Sequence, residues 1–382
     1  MSIKVHMKYL DYMISTRRYL HENPEVGLEI PNTHLWLKSQ LESLGYNPEI
    51  HYSAGLTVTL PGIDNTKTRI LRADMDALPI IENTNLLFTS KNHGIMHACG
   101  HDLHMAMLLG VAKYFVEYPP TFPCVLAFQP GEEKDFGAIQ LLKHKNLQVQ
   151  DAVVFALHVN STLPSGTLNI KNNVFMATSD SFKIEFRGQG GHASTPELSK
   201  NPISGLSELV LTLEKELNQL SKSGKLVATV TEFLSGNTIN TIPVYGSIRG
   251  TLRTIDPLTR SELHETIKIL TSKVAQNRGL ELNIEIIPGY PSVINDPNFC
   301  SRMISGFKRD GLGSKIVDMN IPSMVTEDFS YFLQKWPGAM VYLGAQLGEH
   351  RNFNHSENAM FDEEAMNIGL KAFVSIANNY SL

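Results

Sequence analysis

The spacing of apolar residues changes twice along this chain, and those changes limit its architecture more than any other feature. Up to about residue 178, short apolar runs such as Val153–Leu157 alternate with segments of helical spacing, as strands and helices of an α/β sheet do. From about residue 179 to 291, the order becomes β-α-β-β-α-β, with strands in which every second residue is apolar. After Pro288-Gly289 the α/β pattern returns.

This pattern predicts one discontinuous domain that carries an insert. Residues 1–178 and 292–382 are expected to form an α/β domain, with helices on both faces of a mixed sheet. Residues 179–291 are expected to form a smaller α+β, ferredoxin-like domain. A chain of 382 residues has the usual length for two domains.

The composition is that of an ordinary globular protein and disfavours several function classes. A net charge of -5 leaves no excess of Lys and Arg for a nucleic-acid or anionic membrane surface. The sequence has no apolar run of about 18 residues and no secretory signal pattern. Its three cysteines do not make an even disulfide framework. We therefore expect a cytoplasmic protein without membrane or nucleic-acid partners.

Side chains that can bind metals are concentrated where predicted strands end. The four groups are Cys99 with His101, the pair Glu132–Glu133, His158, and His355. In open α/β sheets, ligands bind beyond the carboxyl ends of the strands. The sequence therefore predicts that these four groups meet at one edge of the sheet.

Each of these residues alone has a simpler explanation. A lone Cys is most often a small buried hydrophobe, a single His a core or surface residue, and adjacent Glu residues a solvated face. Together, imidazole, thiolate and carboxylate suit zinc-like ions. A bound metal lowers the pKa of water from about 15.7 to about 7, and a nearby carboxylate can then move its proton. The combination indicates metal-assisted hydrolysis.

Eight short motifs follow one another in a fixed order from near residue 15 onwards. They are RRYLHENPE at 17–25, RADMDALP at 72–79, HACGHDLH at 97–104, FQPGEE at 128–133, GHAS at 191–194, INTIP at 239–243, GTLRT at 250–254 and TEDFS at 326–330. In this order they resemble the M20 family of metallopeptidases. The similarity is to its amidohydrolase branch, which includes hippurate hydrolases, N-acetyldiaminopimelate deacetylases and plant auxin-conjugate hydrolases.

The resemblance implies a dinuclear metal centre. The implied ligands are Cys99, His101, Glu133, His158 and His355. Two divalent ions are implied, with Zn²⁺ or Mn²⁺ placed first and Co²⁺ or Ni²⁺ as alternatives. Glu132 would be the general base, and Asp76 would orient a ligand.

The resemblance also implies roles for the insert, which would be a lid and a homodimer interface. His192 would donate to the substrate carbonyl oxygen in the transition state, in its own subunit or across the dimer. Asn240 and Arg253 would hold the α-carboxylate of the substrate, because a guanidinium matches a carboxylate in two hydrogen bonds.

The predicted function is metal-dependent hydrolysis of the amide bond of small N-acyl amino acids. A dipeptidase or aminopeptidase is the alternative, because the scissile bond and the site are the same. A non-catalytic small-molecule binding protein is disfavoured by Glu132, and a phosphatase by the lack of a Gly-rich phosphate loop. For Glu327 and Asp328 the sequence leaves open whether they orient ligands or cap a helix. His97 and His104 are interpreted as structural.

Besides Gly131, where the family usually has alanine, three departures from the usual family sequence lie near the predicted site. Lys134–Phe136 separates the Glu pair from Gly137, Val159–Ser161 follows His158, and Asn352–Asn354 precedes His355. None of them removes a predicted ligand. We interpret them as affecting substrate preference rather than chemistry.

Overall fold

The computed structural model describes residues 7–51, 53–222, 224–349 and 352–379. The chain divides into two units. The first consists of Met1–Phe175, Ile294–Ile321 and Glu327–Leu382, and the second of Met176–Val293 with Pro322–Thr326. Among the described residues, no helix combines the length and the apolar character that crossing a membrane requires.

The helices and strands follow the chain in this order. The helices are α1 Met7–Glu22, α2 Pro31–Ser43, α3 His101–Glu117, α4 Gly137–Leu141, α5 Pro202–Ser221, α6 Pro257–Arg278, α7 Pro297–Arg309, α8 Ser330–Lys335 and α9 Ala365–Asn378. The strands are β1 Glu49–His51, β2 Gly55–Leu60, β3 Thr68–Asp74, β4 Cys124–Gln129, β5 Ala152–Asn160, β6 Leu168–Ile170, β7 Asn173–Met176, β8 Asp180–Arg187, β9 Gly191–His192, β10 Leu226–Ser235, β11 Thr241–Ile242, β12 Tyr245–Thr254, β13 Glu281–Pro288, β14 Val293–Asn295, β15 Ile316–Asp318 and β16 Gly338–Gly344.

A mixed sheet forms the centre of the first unit, in the order β1-β2-β4-β3-β5-β16-β6-β15. The four strands β4, β3, β5 and β16 run parallel to one another. All residues of β4 and β16 are buried, as expected for parallel strands covered on both faces. The predicted α/β class with a mixed sheet is confirmed. The carboxyl ends of these four strands lie at the same edge, where the predicted metal ligands follow.

Helix α3 is the buried helix of the first unit, and it begins at the HACGHDLH motif. Every residue from His101 to Ala112 is buried, and the helix contacts α1, α9, β3 and β5. Gly100 precedes it with φ +87°, and a Cβ there would lie 2.3 Å from Val159 Cγ2. Only glycine allows this close approach of the turn to β5. The turn thereby places Cys99 and His101 next to the end of β5.

The second unit contains an antiparallel sheet in the order β10-β12-β8-β13, with α5 and α6 packed against it. In β8, Phe182, Ile184 and Phe186 are buried and alternate with more exposed residues. The side chains of Asn201 and Asp256 cap the first turns of α5 and α6.

A short segment near the C-terminal part of the chain also joins the second unit. The N–H of Ala177 lies 3.0 Å from the carbonyl oxygen of Ser323 and 3.1 Å from that of Val325. Residues 322–326, which the sequence analysis placed in the first domain, therefore group with the second unit. Strand-like pairing with Ala177 holds this segment in the second unit. A segment of five residues is too short to show an apolar periodicity in the sequence.

Candidate metal centre

The five side chains predicted to bind metal come together. His355 Nε2 lies 3.2 Å from Cys99 Sγ and 3.1 Å from Glu133 Oε1. His158 Nε2 lies 3.4 Å from Cys99 Sγ. The ligand atoms form two groups that share Cys99, one with His101 and His158 and the other with Glu133 and His355, and within each group they lie within 4.8 Å of one another. This donor set fits two neighbouring divalent ions.

The hydrogen bonds of two histidines leave the same ring atom for a metal. His101 Nδ1 lies 2.7 Å from the carbonyl oxygen of Asp76, and His158 Nδ1 lies 2.8 Å from that of Val159. A carbonyl oxygen only accepts, so each Nδ1 carries a proton and, in the neutral ring, Nε2 presents a lone pair. His101 Nε2 is buried and has no hydrogen-bond partner within the described ranges. A buried acceptor in that state is what a metal ligand requires.

Asp76 holds the turn that carries the two glutamates. Its Oδ1 accepts from the N–H of Glu132 at 2.9 Å, and its Oδ2 accepts from that of Glu133 at 3.2 Å. Burial raises the pKa of Asp76 to about 6, against the opposing effect of His101. Asp76 thus contacts His101 through its main chain and the Glu pair through its side chain.

The local electrostatics disfavour negative charge until a cation is present. Burial, with a further contribution from Glu133, raises the pKa of the Cys99 thiol well above its ordinary value. Burial also raises the pKa of Glu132, and the carboxylates of Glu327 and Glu133 raise it further. A bound cation acts in the opposite direction, because it stabilises thiolate and carboxylate.

A buried arginine next to the centre was missed by the sequence analysis. Arg72 on β3 donates through Nη1 to Asp74 Oδ2 at 2.6 Å, and through Nη2 to Glu327 Oε1 and Asp328 Oδ1, both at 2.9 Å. All four side chains are at most 1% exposed. The available signal was that β3 carries Arg72 and Asp74 beside the apolar residues Ile70, Leu71 and Ala73.

The same contacts settle the position of Glu327 and Asp328. Glu327 also accepts from the N–H of Phe329 at 3.0 Å, and Asp328 accepts from Gln129 Nε2 and from the N–H of Ala138, both at 2.8 Å. Both carboxylates are therefore bound to Arg72 and to a neighbouring donor. We call Arg72, Asp74, Glu327 and Asp328 the Arg72 cluster.

His104, interpreted above as structural, links the Arg72 cluster to β5. Its Nδ1 is hydrogen-bonded to Asp74 Oδ1, and its Nε2 accepts from the N–H of Val159 at 2.8 Å. Accepting at Nε2 means that the ring is neutral with its proton on Nδ1. His104 thus fixes the strand position next to His158.

The residues predicted to contact substrate lie in the second unit. His192 on β9 pairs with Thr241 on β11, and the N–H of Ala193 donates to the carbonyl oxygen of Asn240 at 3.0 Å, so His192 and Asn240 are neighbours. Arg253 lies on β12, half-buried, and donates through Nη1 to Thr326 Oγ1 at 3.1 Å.

Another group of potential ligands, Glu49, His51 and His144, lies in the first unit. Lys145 Nζ is 3.0 Å from Glu49 Oε2, and the two imidazole rings stack with centroids 3.1 Å apart. Stacked rings direct their in-plane lone pairs side by side rather than to one point, and the carboxylate is already paired with an ammonium. We assign no metal to this group.

Comparison with known proteins identifies the class of enzyme. The model of Peptidase family M20/M25/M40 matches residues 70–379. The chain belongs to this family and is a metal-dependent amidohydrolase, as the sequence motifs predicted. Among its relatives is an N-acetyldiaminopimelate deacetylase of Oenococcus oeni, which is 33% identical over 95% of this chain and 96% of that protein.

Two further comparisons extend the similarity. Thermostable carboxypeptidase 1 of Saccharolobus solfataricus is 32% identical over 97% of this chain and 96% of that protein. Among solved structures, the YXEP protein of Bacillus subtilis, described as a dinuclear metal-binding peptidase of the M20 family, has a TM-score of 0.85 and 29% identity over 97% of this chain and 98% of that one.

Proposed function

We propose that this protein hydrolyses the amide bond of small N-acyl amino acids, with Glu132 as the general base. The observation that carries the proposal is the convergence of five donor side chains, one of which belongs to Glu133, the sequence neighbour of the buried Glu132. The relative named as an N-acetyldiaminopimelate deacetylase supports an acylated amino acid as the substrate class.

We propose that two divalent ions are held by Cys99, His101, Glu133, His158 and His355. When bound, such ions lower the pKa of a water molecule and polarise the scissile carbonyl. The donor set suits Zn²⁺ or Mn²⁺ and also admits Co²⁺ or Ni²⁺, because affinity order alone does not select among them. The description of the YXEP protein as dinuclear supports the number of two.

Glu132 moves the proton in this proposal. Its carboxylate takes a proton from the attacking water and then delivers it to the leaving amine nitrogen, so that the amide C–N bond breaks and acid and amine form. The main-chain bonds to Asp76 keep the residue in place.

We propose that the second unit, with its order β8-α5-β10-β12-α6-β13, is a ferredoxin-like lid and the interface of a homodimer. His192 Nδ1 accepts from the N–H of Ser194 at 3.2 Å, so the proton of a neutral ring is on Nε2. His192 then donates to the substrate carbonyl oxygen, while Asn240 and Arg253 bind the α-carboxylate.

A peptidase that cleaves dipeptides or the ends of short peptides is the second candidate. The 32% identity with a thermostable carboxypeptidase favours it, because that relative is named for peptide substrates. The same site performs both reactions, and only the pockets differ.

Amine release after metal reconstitution separates these candidates. We expect release from N-acetyl and N-benzoyl amino acids or N-acetyldiaminopimelate, at least tenfold faster in kcat/KM than from dipeptides, which corresponds to about 1.4 kcal/mol of transition-state discrimination. Release from dipeptides alone would establish the peptidase. Two bound ions without release from any substrate would contradict both.

Replacing Arg253 with alanine tests the proposed carboxylate contact. We expect kcat/KM for the best N-acyl amino acid to fall about 10–100-fold, because a charge-assisted hydrogen bond is worth about 1.5–3 kcal/mol. The α-carboxamide analogue should lose less than about threefold, because it presents no charge. Arg249→Ala is the matched control, since Arg249 lies four residues earlier on the same face of β12. An equal loss in that control, or with the carboxamide, would refute the assignment.

A further inference from the structure

Two segments that depart from the usual family sequence contact one another beside the candidate metal centre. The N–H of Ser161 donates to Asn354 Oδ1 at 3.1 Å, and the Ser161 hydroxyl lies 2.9 Å from the same oxygen. Ser161 is 1% exposed. The two departures are therefore one structural feature, and they meet at the Asn354 side chain.

The other end of the Asn354 amide contacts the segments that carry predicted ligands. Asn354 Nδ2 donates to the carbonyl oxygen of Cys99 at 3.2 Å and to that of Val159 at 3.0 Å. The Val159 carbonyl is the same oxygen that accepts from His158 Nδ1 at 2.8 Å. One side chain thus joins the turn of Cys99 to the hydrogen bond that orients His158.

Asn354 is also covalently joined to a third predicted ligand, His355. His355 has a φ of +69°, a left-handed conformation that is uncommon for a residue with a side chain. Its N–H donates to the carbonyl oxygen of Ala98 at 2.9 Å. The contacts of Asn354 and His355 together hold this turn against the segment of Cys99.

The chemistry of this position selects a carboxamide. The Ser161 N–H can only donate, and the carbonyl oxygens of Cys99 and Val159 can only accept. One group must therefore present an acceptor on one side and donors on the other. Asparagine does so, whereas an aspartate would direct an oxygen at two carbonyls and an apolar residue would satisfy none of the three.

We propose that Asn354 is a positioning residue that sets the separation of Cys99, His158 and His355, and thereby the affinity for divalent ions. This inference rests on the proposed metal centre. Groups that orient metal ligands typically change metal affinity about 10–100-fold when they are removed. Asn354 acts on the ligands and not on the reacting groups. Excess metal should therefore restore the activity that is lost when Asn354 is replaced.

The test compares the Zn²⁺ affinity of the metal-free parent, Asn354→Asp and Asn354→Ala, by competition with a chromophoric chelator. We expect both variants to bind Zn²⁺ about 10–100-fold more weakly. At saturating Zn²⁺, kcat should return to within about threefold of the parent, since the metal then occupies the site in both. If the alanine variant folds poorly, the comparison relies on the nearly isosteric aspartate variant. Urea unfolding of each metal-free variant checks that it is folded.

Asn352→Ala is the matched control in the same loop. Asn352 Nδ2 donates to the carbonyl oxygen of Asn358 at 2.8 Å, so its removal disturbs the loop without breaking the Asn354 contacts. Zn²⁺ affinities of both Asn354 variants within threefold of the parent, or an equal loss in Asn352→Ala, would overturn the proposal. A parent that binds no ions would overturn it together with the metal centre. A parent that binds two ions without turnover would contradict the proposed function alone, and the affinity comparison would still decide the role of Asn354.

Discussion

Glutamine in place of Glu132 is expected to lower kcat for amide hydrolysis about 10²–10⁴-fold while both metal ions remain bound. The amide side chain has nearly the same shape, but it cannot take up the proton of water or return it to the amine. Loss of a general acid–base typically costs this much. The measurement is kcat on the best N-acyl amino acid, together with metal content by elemental analysis.

Glu133→Gln is the matched comparison for this prediction. The two residues are adjacent on the same turn, but Glu133 Oε1 lies 3.1 Å from His355 Nε2 among the proposed ligands. We expect this variant to lose metal, with activity partly restored by excess metal. If Glu132→Gln instead lost its metal, or retained its activity with full metal content, the assignment of the base would be wrong.

Replacing Arg72 with leucine is expected to lower the free energy of unfolding of the metal-free protein by about 3–5 kcal/mol. Three carboxylates lie around this guanidinium, and its removal leaves them buried without their cation. Part of the charge is then relieved by proton uptake, most of all at Asp328, because burial already holds the pKa of that carboxyl well above its ordinary value. Such groups stabilise the fold at low pH and lose that contribution as pH rises. The difference from the parent should therefore be smaller at pH 5 than at pH 8, as measured by urea unfolding.

Arg69→Leu provides the control for size and burial. Arg69 lies three residues earlier on β3 and is 1% exposed, but it donates to the main-chain carbonyl oxygens of Lys67 and Asn379. Its loss leaves uncharged carbonyl acceptors without a donor, which should lower the free energy of unfolding by about 1–3 kcal/mol. This decrease should vary little with pH. If the two variants lost equal free energies of unfolding with equal pH dependence, the charges of the Arg72 cluster would have no special role in stability.

The candidate metal ligands were predictable because each belongs to a pattern of residues that are close together in the sequence. The apolar residues Cys124–Phe128 lie in strand β4, and the Glu pair follows shortly after its end. His158 falls at the end of β5 in the same way. Ligands of open α/β sheets bind beyond the carboxyl ends of the strands, so these residues can be predicted to lie at one edge even when the strand order is unknown.

The Arg72 cluster was not predictable, because two of the three partners of Arg72 are distant in sequence. Glu327 and Asp328 are 255 and 256 residues from Arg72 along the chain. No periodicity links residues at such separations, and two adjacent acidic residues before Phe329 read equally well as a helix cap. The role proposed for Asn354 was not predictable for the same reason, since its partners Cys99 and Ser161 are 255 and 193 residues away.

The position of β16 in the sheet has a consequence for synthesis on the ribosome. This strand lies between β5 and β6, yet it is translated about 180 residues after β5. At roughly 5–20 residues per second, the nascent chain waits about 10–40 s with the edge of β5 unpaired. His355 follows β16 in the chain, so the candidate donor set stays incomplete for at least as long. A chain truncated before β16 would expose an apolar strand edge to aggregation.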